Sequence, residues 1–125
     1  MVANIRSGSS PGGALHYNKE KVDKDEAEIL YWQKMLEPFD KHGRMDVDAC
    51  MESFRPYLEA NRRTTNTVFH VSLNPSPEDK LTDVQLREIA REYMERMGYG
   101  DQPYIVFKHT DIDREHLHIV SLRID

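Results

Sequence analysis

The sequence predicts an α+β domain in which helices pack on a mainly antiparallel sheet. Two apolar stripes at helical spacing, several β-branched and aromatic stretches, and the order strand, helix, helix, strand, helix, strand, strand all point that way. A chain of 125 residues suits one compact domain with one core.

The opening "MVANIR" alternates apolar and polar residues as an edge-capable strand does, and "SGSSPGG" then breaks it with Gly, Ser and Pro. A short segment "ALHYNKEKV" follows. From Asp25 onward, Ile29, Trp32, Leu36 and Phe39 recur at spacings of three and four, which predicts an amphipathic helix ended by Pro38 and Gly43. Val47, Cys50, Met51, Phe54 and Leu58 repeat the pattern behind Asp46 as N-cap, and Pro56 is expected to kink or split that helix. "TVFHVSL", residues 67 to 73, reads as a strand that Pro75 and Pro77 terminate.

The next helix is marked at both ends. Thr82 and Gln85 form a T-x-x-Q capping box, Leu81 and Leu86 occupy the two positions of a hydrophobic staple, and Gly98 supplies the stop. Between them Leu86, Ile89, Ala90, Tyr93, Met94 and Met97 form a stripe for packing on a sheet. The last third, "PYIVFKH", "TDIDRE" and "HLHIVSLRI", predicts two strands paired as a hairpin.

A net charge of −5 runs against binding nucleic acid by overall charge, since phosphate affinity comes from Lys and Arg displacing counterions. Local patches differ: Arg6, Lys19 and Lys21 lie near the start, and Arg62 and Arg63 are adjacent. No apolar run approaches the roughly 20 residues of a membrane helix, the start lacks a signal peptide's apolar region, and the single Cys50 forms no internal disulfide. These features predict a cytoplasmic protein.

Residues 109 to 118 hold three histidines and three acids. Alternation along a strand puts His116 and His118 on one face and Leu117 and Ile119 on the other. His109 ends the preceding strand, within about 4.5 to 8 Å of them across a hairpin. Three neutral imidazoles converging in this way make a metal site with positions left open for water or substrate. Asp111 and Asp113 are candidates to accept the second ring N–H of a ligand histidine, or else they form the turn with Thr110.

The pattern H-x-D-x-D-x-x-H-x-H, formed by His109, Asp111, Asp113, His116 and His118, resembles the histidine motif of mobilisation relaxases. These belong to the class named for its histidine, hydrophobic, histidine signature. "SGSS..GALHYN" and "FHVSLNPSP", in that order, resemble the N-terminal part of Bacteroides-type plasmid or transposon mobilisation proteins. The resemblance implies a relaxase-like, ferredoxin-like nuclease domain of which residues 1–125 are the N-terminal part, a truncated form expected to bind metal yet nick poorly because part of the DNA groove is missing. Where many relaxases carry an asparagine near the end of the second histidine strand, this chain has Leu122.

It further implies nicking of one DNA strand at a transfer origin by a tyrosine, leaving a 5′-phosphotyrosine. A divalent ion assists, magnesium or manganese in the family, while three imidazoles also suit zinc or nickel. The resemblance places the nucleophile at Tyr17, between a Gly-rich bend and a basic segment. It places Ser72 near bound DNA, and Arg6 is a candidate phosphate contact. Single-stranded or supercoiled DNA at a transfer origin and accessory mobilisation proteins are the implied partners. His16 and His42 read as surface residues.

Two rival readings stand beside this one. One is a small phosphoesterase built on His70 and Ser72, for which the second His-x-Ser or His-x-Thr repeat is absent. The other is a non-catalytic, metal-stabilised DNA-binding or accessory module. Because protons compete for imidazole nitrogens, manganese affinity is expected to fall as pH drops below about 6.5. Calorimetric titration at several pH values checks this.

Overall fold

The computed structural model describes residues 2–60, 66–76, 78–110 and 115–123. The elements run β1 (Val2–Gly8), α1 (Pro11–Asp23), β2 (Ala27–Gln33), α2 (Val47–Ala60), β3 (Val68–Asn74), α3 (Asp83–Arg96), β4 (Tyr104–His109) and β5 (His116–Leu122). The strands form one antiparallel sheet in the order β1-β3-β5-β4-β2. The predicted α+β class holds.

Side-chain alternation divides the apolar residues between the two faces of the sheet. Phe69, Val71, Leu73, Tyr104, Val106, Leu117 and Ile119 pack with Leu86, Ala90 and Met94 of α3. Ile105, Phe107, Val120 and Leu122 pack on the opposite face with Leu15 of α1 and Val47, Cys50 and Phe54 of α2. The result is three layers, with the sheet between α3 on one side and α1 and α2 on the other.

The first two elements after β1 differ from the sequence expectation, and each has a local cause. "SGSSPGG" starts a helix: the Ser10 hydroxyl accepts from the Gly13 N–H at 3.0 Å, and Pro11 occupies the first turn, where its missing N–H costs nothing. The segment from Asp25, expected to be helical, contains strand β2 instead. A bulge between Ile29 and Tyr31 shifts its register against β4, so Ile29 and Trp32, three apart, pack into the same core. The bulge imitates helical spacing.

The other expectations fare better. Asp46 accepts from Ala49 N–H at 3.1 Å ahead of α2, but Pro56 does not split the helix, which continues through it to Ala60. Pro56 is exposed, so the carbonyl one turn before it can tilt toward solvent while Cys50 and Phe54 hold the buried side. Both halves of the α3 capping box form, Gln85 N–H to the Thr82 hydroxyl at 3.2 Å and Thr82 N–H to Gln85 Oε1 at 2.8 Å. Leu81 packs on the cluster that buries Leu86, while Met97, at the end of the stripe, is exposed. Gly98 takes a φ of 85°, the left-handed value a helix stop requires.

Burial, helped by the Asp46 charge, pushes the Cys50 thiol up to about 12. Burial likewise pushes Tyr104 up to about 12. The unfolded chain therefore releases protons that the folded chain still holds, so stability is intact below about pH 9 and declines as pH rises toward 12. Urea midpoints measured from pH 8 to 11 are expected to fall, with a shallower fall in Cys50→Ala.

Candidate active site

The β4–β5 register sets His109 directly opposite His116, with His118 two residues further along the same face. All three rings lie on the side of the sheet covered by α1. The His109 and His118 rings stack with centroids 3.9 Å apart, and His116 meets them edge-on at 5.1 and 5.0 Å. One nitrogen from each ring falls within 4.8 Å of the others. Two nitrogens held about 2.1 Å from one ion can be at most about 4.2 Å apart, so a shared ion would require the rings to close slightly by side-chain rotation. The donor chemistry fits a divalent transition metal.

Burial is graded across the group: His109 is fully buried, whereas His116 and His118 are partly exposed. Such a cluster has a floor of core residues and one side open to a ligand.

Helix α1 packs over β3 and β5 and brings Tyr17 to the cluster. Its ring centroid lies 6.2 Å from that of His118 and 6.4 Å from those of His109 and His70, and the residue is 46% exposed. Lys21, one turn later, holds its Nζ 6.0 Å from the Tyr17 ring and pairs with Glu26 at 3.2 Å. Between β1, α1 and the histidines lies an open cavity of about 610 Å³, lined by Asn4, Arg6, Tyr17, His70, Ser72, His116 and His118 among others. Arg6 and Ser72 enter it because β1 and β3 pair Arg6 with His70 and Asn4 with Ser72.

Two further residues meet the cluster: His70, which the sequence pattern already sets on one face with Ser72, and Asn18, which it does not reveal. His70 Nε2 lies 3.0 Å from His118 Nδ1 across the β3–β5 pair. Burial, with the Arg6 charge adding to it, holds the His70 imidazole below its ordinary range. Asn18 is fully buried and bonds His109, with its Oδ1 2.8 Å from Nε2. The alternation of "FHVSLN" signals that His70 shares a face with Ser72. Nothing in the sequence signals the Asn18 contact, because it depends on a helix that the glycines and Pro11 disguise.

The structure thus brings together Tyr17, His109, His116 and His118, with Arg6 and Ser72 at the same cavity. Asp111 and Asp113 lie outside the described residues, as do Arg62 and Arg63. His16 and His42 are exposed, as expected.

A family model described as "Relaxase: MobA/VirD2-like, nuclease domain" matches residues 17–125. The chain belongs to this relaxase family. Comparison with curated proteins and with solved structures gave no match. The matched span of this relaxase domain begins at Tyr17 and takes in the three histidines of the cluster together with His70. Among the described residues, no helix of the relaxase domain is long and apolar enough to cross a membrane.

Proposed function

We propose that this relaxase domain cuts one DNA strand at a transfer origin through attack by Tyr17. The observation that carries the reading is the convergence of an accessible phenol on three histidines whose nitrogens lie within 4.8 Å of one another. The Tyr17 oxygen bonds to the scissile phosphorus, the bond from phosphorus to the 3′ oxygen breaks, and that oxygen leaves as a hydroxyl after taking up a proton. The phenolic proton has a path to solvent at the exposed side of Tyr17. The product is a 5′-phosphotyrosine, a phosphodiester that a later 3′-hydroxyl can reverse, so no nucleotide cofactor is needed.

His109, His116 and His118 would hold a divalent ion, manganese or magnesium by family habit, with zinc and nickel also suited to imidazole. When bound, it supplies Lewis-acid polarisation of a phosphate oxygen and fixes the scissile group. Arg6 faces the same cavity and can neutralise a neighbouring phosphate, while the Ser72 hydroxyl can meet phosphate or base. Asp111 and Asp113 would orient ligand rings. In this reading residues 1–125 are the N-terminal part of one nuclease domain that works in the bacterial cytoplasm on plasmid or transposon DNA with accessory mobilisation proteins.

With manganese, a complete nuclease domain that includes this chain should nick supercoiled plasmid carrying the cognate origin, and with single-stranded origin DNA it should form a covalent adduct visible on a denaturing gel. Tyr17→Phe is expected to reduce both to background, as is His116→Ala. Equal nicking by Tyr17→Phe would overturn the tyrosine assignment and leave a different nucleophile to be found.

A further inference from the structure

We infer that Asn18 is a positioning residue that fixes which nitrogen of His109 carries the proton, and ties that choice to the helix bearing Tyr17. The inference rests on the metal-site reading of the three histidines. Asparagine is a mediocre helix former and its amide is costly to bury, yet Asn18 sits inside α1 and is fully buried. Both ends of the amide are occupied. Its Nδ2 donates to the Ala14 carbonyl one turn earlier at 2.9 Å, and its Oδ1 lies 2.8 Å from His109 Nε2.

These two contacts determine the protonation pattern. A backbone carbonyl only accepts, so the amide nitrogen must face Ala14 and the amide oxygen must face His109. An amide oxygen also only accepts, so His109 Nε2 must bear a hydrogen. The neutral ring then keeps its lone pair on Nδ1, and Nδ1 is the atom left to ligate an ion. A ligand histidine usually donates its second ring N–H to a carboxylate or a carbonyl. Here the acceptor is a neutral amide, which orients the ring without adding negative charge where a phosphate must approach.

Adjacent helix residues point about 100° apart at 3.6 residues per turn. Tyr17 therefore faces the cavity while Asn18 faces inward. The bond to His109 thus anchors the segment of helix that carries the phenol.

The test uses the full 125-residue chain, uniformly labelled with nitrogen-15 and free of metal. Long-range proton–nitrogen correlation should show the His109 ring protonated at Nε2; protonation at Nδ1 in the unmutated chain would overturn the inference without any variant. Asn18→Leu keeps the volume and removes the acceptor, so the Nε2–H signature should be lost and manganese affinity by calorimetry should drop about ten- to hundredfold. Asn18→Asp restores an acceptor oxygen and should recover the Nε2–H signature and most of the affinity. An unchanged signature and affinity in a folded Asn18→Leu chain also overturns the inference. If the unmutated chain takes up no manganese while the signature depends on Asn18 as stated, the metal-site reading fails and the positioning role stands.

Discussion

The site depends on the register between β4 and β5. His109 stands opposite His116 because Lys108 pairs with Leu117 and Phe107 with His118, and every one of those pairings is locked by what the neighbouring residues bury. Leu117 and Ile119 belong to the core under α3, and Val120 and Leu122 to the core under α1 and α2. Sliding β5 by one residue would exchange these faces and drive two imidazoles into the apolar layer under α3. Burying each of those aliphatic side chains is worth about 1.5–3 kcal/mol, so the apolar residues specify where the polar ones must stand.

From that ladder the site grows outward through single contacts of different kinds. His70 joins by pairing of β3 with β5, and Arg6 by pairing of β1 with β3. Helix α1 adds the phenol and the amide from above. The sheet supplies the rigid part of the site, while the helix supplies the side chains that approach it from the other direction. The proposed reaction uses both, because it requires a nucleophile brought to a phosphate already held in place.

Much of this was legible in the sequence, and the reasons are specific. Strand alternation put His116 and His118 together because period two is a rigid property of extended backbone. The α3 boundaries were legible because capping is local chemistry, written in Thr82, Gln85 and Gly98. The helix from Pro11 was hidden because a start signal, Ser10 followed by Pro11, is also a turn signal, and Gly12 and Gly13 weighted the reading toward a bend. Strand β2 carries helical spacing in the sequence because a bulge, set only by pairing with β4, changes spacing along the chain. The Asn18 contact to His109 spans 91 residues of sequence, and no local pattern can announce such a meeting.

The sheet order separates two kinds of evolutionary freedom. The strands bearing histidines, β3, β5 and β4, are flanked on both sides by hydrogen-bonded neighbours, whereas β1, which carries Asn4 and Arg6 into the cavity, has β3 alone beside it among the described residues. Exchanges along that outer strand touch the pairing with β3 alone and leave the β4–β5 pairing that aligns His109, His116 and His118 unchanged. The cavity rim formed by Asn4 and Arg6 can therefore vary in side-chain character while the geometry of the histidine cluster stays unaltered.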